Sequence, residues 1–174
     1  MKLIEDLLNS VRELDYPVKR VCVGLHWTVV ESRYTGMAHT YKTGSKVEIE
    51  SSGDLIGISA SELARRMRSW EPLEASLGVA ALNSLIKPEG RRGNVLTEVV
   101  DMLPGKTVTV VGRFPLNEQI AHAAKKAYFL EVEPQNGELP PEAAEEVIPA
   151  SEIVLITATA LINKSLPRLL EFGT

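Results

Sequence analysis

Residues Val108 to Pro115 read VTVVGRFP: an apolar run stops at Gly112 and gives way to Arg113, Phe114 and Pro115. The periodicity predicts a helix from Leu116 to Ala127 directly afterwards. Open parallel sheets bind ligands at such strand–turn–helix entries, at the carboxyl ends of their strands. Gly112 permits a sharp turn, Pro115 suits the first turn of a helix, and a helix start favours an anion. Arg113 carries five donors in a planar fork that matches carboxylate or phosphate. Its alternative is a solvated or ion-paired surface residue. Phe114 can stack on a ligand ring or simply pack. One glycine is not the three of a dinucleotide fingerprint, and no phosphate-loop motif occurs.

Other polar residues are expected at the same sheet edge. Asn117 opens the helix after the turn, and Glu133 follows the second predicted strand, where an acid often meets a ribose hydroxyl. Thr157, Thr159 and Asn163 follow the third strand. Their small hydroxyl and amide groups suit a polar ligand, or cap the last helix.

Soft metal ligands are sparse: Cys22, His26, His39 and His122. On one straight strand Cys22 and His26 would stand about 13 Å apart at ~3.3 Å per residue, too far for one ion with bonds of about 2 Å. His26 and His39 can meet if neighbouring strands bring them into register. His122 reads as a helix residue. There is no Gly-x-Ser-x-Gly elbow, Cys22 reads as a small buried hydrophobe in mid-strand, and Glu145 and Glu146 point apart on a helix. No catalytic base is identifiable, and the sequence leaves open whether a reaction is catalysed.

The elements that must hold these groups fall into two halves. Leu3, Ile4, Leu7, Leu8, Val11 and Leu14 form a helical stripe. Val18 to Val30 reads as one long strand, followed by short strands at Met37–Tyr41 and Lys46–Glu50 around a turn at Thr43-Gly44-Ser45. Two helices follow, one capped by Ser59 or Ser61 and ending near Arg68, the other running from Pro72 to Ile86. Gly78 inside the second costs roughly 1 kcal/mol against alanine, which points to a close packing contact. After the linker-like residues 87–93 the rhythm changes. Helix Val95–Met102, strand Thr107–Val111, helix Leu116–Ala127, strand Tyr128–Val132, helix Pro141–Glu146, strand Ile153–Ile156 and helix Ser165–Phe172 imply a parallel sheet with right-handed crossovers. The expected fold class is α/β, with an α+β domain over residues 1–88 and a Rossmann-like domain over residues 89–174.

With 174 residues, 44% hydrophobic and 24% charged, the chain is long enough for a real core. Its net charge is −4, so nothing draws it generally to nucleic acid or anionic membrane. Up to Pro88 there are 11 basic and 11 acidic residues, and beyond it 8 and 12, so the excess acid belongs to the second half. One cysteine excludes an intramolecular disulfide framework. Acids interrupt the apolar pattern of the first residues, and no apolar run approaches the ~20 residues of a membrane span. The expectation is a cytoplasmic protein with no membrane partner.

Taken together and in order, VGLHWTVVES, YTGMAHTY, LEASLGVAALNSLI, GKTVTVVGRFP and EIVLITATALINKSL resemble the putative heavy-metal chelation family. The resemblance covers nearly the whole chain and implies an enolase-N-terminal-like domain joined to a Rossmann-like domain, with no established activity. Family members usually continue with another strand, so the Rossmann-like half is expected to be shortened and its sheet edge covered by another copy, making a homo-oligomer. The family turn is often Gly-His-Phe-Pro, whereas here Arg113 follows Gly112, and guanidinium is a poor metal ligand. Thr28, Met37, Ala38 and Thr40 lie in the stretches most like the family. With Glu74 and Asn83, two polar residues on a core-like helix, Thr28 and Thr40 are expected to line an interdomain cleft, or to bond neighbouring backbone. The implied function is binding of an anionic metabolite, or of a metal ion held with a small chelator. The alternatives are an enzyme acting on a nucleotide-like or carboxylate substrate, and a structural subunit that uses its open sheet edge for assembly.

Overall fold

The computed structural model describes residues 2–41 and 49–173. The expected turn at residues 43–45 and most of the strand at 46–50 lie outside them. The chain forms two compact units: residues 1–89 with 159–165, and residues 90–158 with 166–174.

The first unit starts with helix α1 (Lys2–Val11), which buries Ile4, Leu8 and Val11. Strands β1 (Arg20–Val23), β2 (Trp27–Glu31) and β3 (Thr35–His39) form an antiparallel meander. The single long strand expected from Val18 to Val30 is therefore a hairpin. Gly24 donates its N–H to the Trp27 carbonyl at 2.9 Å, and Leu25 and His26 form the exposed tip. Val21 and Val23 then pair with Val30 and Thr28 instead of continuing into them. Apolar residues on both sides of Gly24 hid this break, because alternation reads the same through a tight turn.

Helix α2 (Ala60–Ala64) runs into a 3-10 turn (Arg65–Arg68), and helix α3 (Pro72–Asn83) begins on Pro72 at its first turn. Every α3 residue from Glu74 to Leu82 is buried, so this is a central helix with no solvent face. It packs on β2 and β3 on one side and on α2 and the 3-10 turn on another. Leu63, Met67, Leu77 and Leu85 fill the space between. Small residues make that crowding possible, notably Gly36 on β3 and Gly78 on α3.

The second unit comprises α4 (Val95–Val100), β4 (Thr107–Val111), α5 (Asn117–Ala123), β5 (Lys126–Leu130), α6 (Ala144–Val147) and β6 (Ile153–Ile156). Helix α7 (Thr159–Ile162) returns to the first unit, whose core it joins through Ile162, and α8 (Leu166–Phe172) closes the second. The sheet is parallel throughout, in the order β5-β4-β6. Its central strand is hidden at Val108, Thr109 and Val110, as expected for a sheet covered on both faces. Val108, Val110, Ile120 and Leu103 form the core, with Phe114, Phe129 and Leu155 packed against it. The fold is thus α/β, with an antiparallel α+β unit first and a Rossmann-like parallel unit second. Among the described residues, no helix is long and apolar enough to cross a membrane.

Candidate functional site

The order β5-β4-β6 means that the chain leaves β4 toward one side and later returns on the other. The carboxyl ends of β4 and β6 are therefore neighbours at the point where strand order reverses, the place where this architecture binds ligands. Gly112 and Thr157 occupy those two ends. Gly112 has φ +99°, a left-handed conformation suited to glycine, and donates its N–H to the Leu130 carbonyl at 2.9 Å. Thr157 donates its N–H to the Val111 carbonyl at 3.0 Å. The two turns touch: a Cβ on Gly112 would stand 2.6 Å from Cγ2 of Thr157.

Arg113 adopts the ion-paired arrangement. Its Nε and Nη2 donate to Oε1 and Oε2 of Glu138 at 3.0 and 2.7 Å, and Nη2 also donates to the Glu133 carbonyl at 2.8 Å. This bidentate contact ties the turn after β4 to the loop after β5. The guanidinium, with the Gln135 N–H donated to the same carboxylate, holds the Glu138 carboxyl below its usual range. Glu138 reciprocally raises Arg113. Glu133 thus contributes its backbone, and its side chain is exposed.

Phe114 packs on the core and does not stand free for stacking. Its N–H is donated to Oδ1 of Asn117 at 3.1 Å, while the Asn117 N–H reaches back to the Phe114 carbonyl at 3.1 Å. This reciprocal pair works like a capping box and, with exposed Pro115 between, fixes the start of α5. Five residues of the predicted turn and helix start, Gly112 to Pro115 and Asn117, are thus held in one braced loop.

Thr159 and Asn163 lie on and just after α7, in the segment that belongs to the first unit. Oδ1 of Asn163 accepts from the N–H and hydroxyl of Ser165 at 3.0 and 2.7 Å. The first-unit candidates are likewise engaged internally. Thr28 and Thr40 are buried and share a hydrogen bond of 2.9 Å between hydroxyls. Asn83 donates to the Met37 carbonyl at 2.8 Å. Glu74 accepts from Arg66 Nη1 at 2.7 Å and from the Glu50 N–H at 2.6 Å. Replacing Glu74 with alanine strands the Arg66 guanidinium, whose side chain is only 20% exposed. The expected loss is about 2–3 kcal/mol, below the value for a fully buried pair. Chemical denaturation should show it as a lower midpoint at unchanged slope.

The metal candidates scatter. Cys22 is exposed, not the buried hydrophobe the sequence suggested, because the β1–β2 hairpin turns its face to solvent. His26 sits at the hairpin tip. His39 pairs across the sheet with Trp27, ring edge to face at 6.0 Å. His122 is exposed on α5, its Nδ1 against the Glu118 carbonyl at 2.6 Å. Among the described residues, no three His, Cys, Asp or Glu side chains gather closely enough to hold an ion.

Two engaged groups escaped the sequence reading. Glu138 lies 25 residues from Arg113, and only their opposite charges on adjacent loops could have linked them. Lys164 has φ +66° and donates Nζ to the Ile162 carbonyl at 3.0 Å, and burial lowers its pKa.

Two family models, both described as "putative heavy-metal chelation", match residues 4–86 and 94–173. The chain is similar to the crystal structure of a protein with unknown function from the DUF364 family of Desulfitobacterium hafniense. That match has 25% identity and a TM-score of 0.84, covering 99% of this chain and 73% of the other. A second protein with unknown function of that family, from Pyrococcus horikoshii, shares the fold at 18% identity and a TM-score of 0.74, again over 99% and 73%. No curated protein matches.

Proposed function

The chain belongs to the family described as "putative heavy-metal chelation", and from that premise we propose that it binds a small anionic ligand at the carboxyl end of its parallel sheet. The ligand is an anionic metabolite, or a metal ion that arrives already held by a small chelator. One observation carries the reading: β4 and β6 end side by side at the reversal of strand order, with Gly112 pressed against Thr157. Open parallel sheets present ligand sites at that position.

The donor set does not fit a bare ion. A divalent heavy metal wants about four nitrogen, sulfur or oxygen ligands within roughly 2.0–2.3 Å, and the described residues supply no such cluster. A chelated ion needs none, because recognition falls on the chelator's anionic oxygens. The Gly112 turn and the turn after β6 at Thr157 would form the wall against which such oxygens sit, with the Gly112 and Phe114 N–H groups bracing that wall through Leu130 and Asn117. Arg113, committed to Glu138, acts as a positioning residue that keeps the turn in shape.

Native mass spectrometry of gently purified protein, with elemental analysis of the same sample, tests this directly. The expected result is about one equivalent of a small molecule, or of a metal with its chelator. A bare-chain mass, combined with no heat of binding for citrate or zinc citrate, would remove the reading.

A further inference from the structure

A second polar groove, unrelated to the sheet end, opens in the first unit where α1 packs against α2 and the 3-10 turn. Its volume is about 350 Å³, and it is lined by Leu8, Asn9, Arg12, Ser61, Arg65 and Arg68. The spacing explains the lining. Ser61, Arg65 and Arg68 stand four and three residues apart, which puts them on one helical stripe, and Asn9 on α1 and Arg12 in the turn just after it line the other side. Three arginines thus line one depression of a chain whose net charge is −4, two of them paired with a carboxylate outside the lining, Glu13 and Glu5. No carboxylate lines it.

The three arginines are not equivalent. Arg68 gives Nε and Nη2 to Glu5, both at 2.7 Å, and this pair fixes its orientation while leaving its Nη1 donors uncommitted. Arg12 gives only Nε, to Glu13 at 2.9 Å. Arg65 is different: among the described residues its side chain makes no hydrogen bond and no ion pair. Among the described residues the Asn9 carboxamide makes no hydrogen bond either. The neighbouring groove shares the Arg65 wall and is larger, about 520 Å³, but Asp54 and Glu62 line it. Those carboxylates disfavour an anion there, so the uncommitted fork of Arg65 is complemented only on the Asn9–Arg12 side.

We propose that the groove between α1 and the α2–Arg68 segment binds a small molecule carrying a diphosphate or similar compact polyanion, with Arg65 as its main ligand. A planar fork with all five donors free matches two phosphate oxygens at once. Arg12, Arg68 and Asn9 then have donors left for the second anionic group. At 350 Å³ the groove lies at the small end of ligand pockets, which suits a compact anion more than an extended one.

Calorimetric titration of the full chain with inorganic pyrophosphate tests the proposal, in low and in physiological salt. The expected result is saturable one-to-one binding that weakens with salt. Arg65→Ala should weaken it about 10- to 100-fold, the range for losing charge-assisted hydrogen bonds. Arg65 is exposed and unpaired among the described residues, so the variant should unfold at the wild-type midpoint, and Arg65→Gln, which keeps the stem to Cδ and a polar end without the charge, serves as a second probe. Arg91→Ala, which removes a surface ion pair in the second unit, should bind like wild type. Equal affinity in Arg65→Ala, Arg65→Gln and wild type, or no saturable binding of pyrophosphate at all, would overturn it. The sheet-end reading is untouched by either failure, because it concerns a different unit and different residues.

Discussion

Replacing Gly78 with alanine is expected to destabilise the first unit by on the order of 4 kcal/mol, although alanine is the better helix former. Propensity alone would favour the substitution by roughly 1 kcal/mol. The local environment reverses that sign. A Cβ at Gly78 would overlap the Met67 backbone nitrogen, and it would stand 2.7 Å from the Arg66 carbonyl carbon and 3.0 Å from the Ala64 carbonyl oxygen. All three are main-chain atoms of α2 and the 3-10 turn, so no rotamer change relieves the overlap. The helices must separate, opening the space filled by Leu63, Met67 and Leu77. Guanidinium denaturation of the variant reads the effect, and a midpoint equal to or above wild type would show that the helices do not approach this closely.

Gly36→Ala is expected to cost a similar amount, on the order of 4 kcal/mol, by a different route. A Cβ there would overlap the Ala80 carbonyl oxygen and the Ser84 nitrogen, with the Asn83 carbonyl carbon at 2.7 Å. Pushing β3 away from the end of α3 also strains a polar cluster. Tyr34 donates its N–H to the Ser84 carbonyl at 2.9 Å, and the Ser32 and Ser84 hydroxyls bond at 2.6 Å. Both serines are buried, so breaking those bonds leaves unpaired polar groups away from water. Hydrogen exchange should therefore show early loss of protection at the Tyr34 amide, in addition to a lower denaturation midpoint. Shrinking a neighbouring side chain should give no rescue, since the obstacle is backbone. Wild-type protection at Tyr34 would refute this account.

These two glycines also show how far the sequence could be read. Gly78 interrupts an otherwise strong helix pattern, and a costly residue in a strong context signals a close contact; the partner segment was invisible. Strand β3 starts at Thr35, two residues before the expected Met37, because glycine has weak strand preference and the pairing of Gly36 with Val30 that makes it part of a strand is a tertiary matter. The parallel unit was more legible. Thr107–Val111 and Ile153–Ile156 are short, wholly apolar or β-branched runs with clear punctuation, and both strands occur with those bounds. Strand β5 starts at Lys126, two residues before the expected Tyr128, since Ala124 is already extended and Lys125 bonds to Lys106.

Site legibility followed the same logic. The Gly112 turn could be found because φ > 0 and strand–helix punctuation are local properties. The destiny of Arg113 could not, because a guanidinium looks the same whether it awaits a ligand or grips Glu138. Asn83 announced itself by standing on a core-like helix, and Thr28 and Thr40 by lying in the stretches most like the family, but their partners lie 12 to 46 residues away. Nothing in the sequence singles out Arg65, because solvated arginines on short helices are common, and only the groove beside α1 distinguishes it.

The return of residues 159–165 to the first unit has a consequence for synthesis. Ile162 is 3% exposed within a core otherwise built from residues before 90. As the chain emerges from the ribosome, the first unit has most of its sheet and helices available but lacks this plug until β4, β5 and β6 of the second unit have also been made. Vectorial folding, in which an N-terminal domain matures before the next one appears, is therefore incomplete here. The first unit can collapse early, and its last core contact closes late.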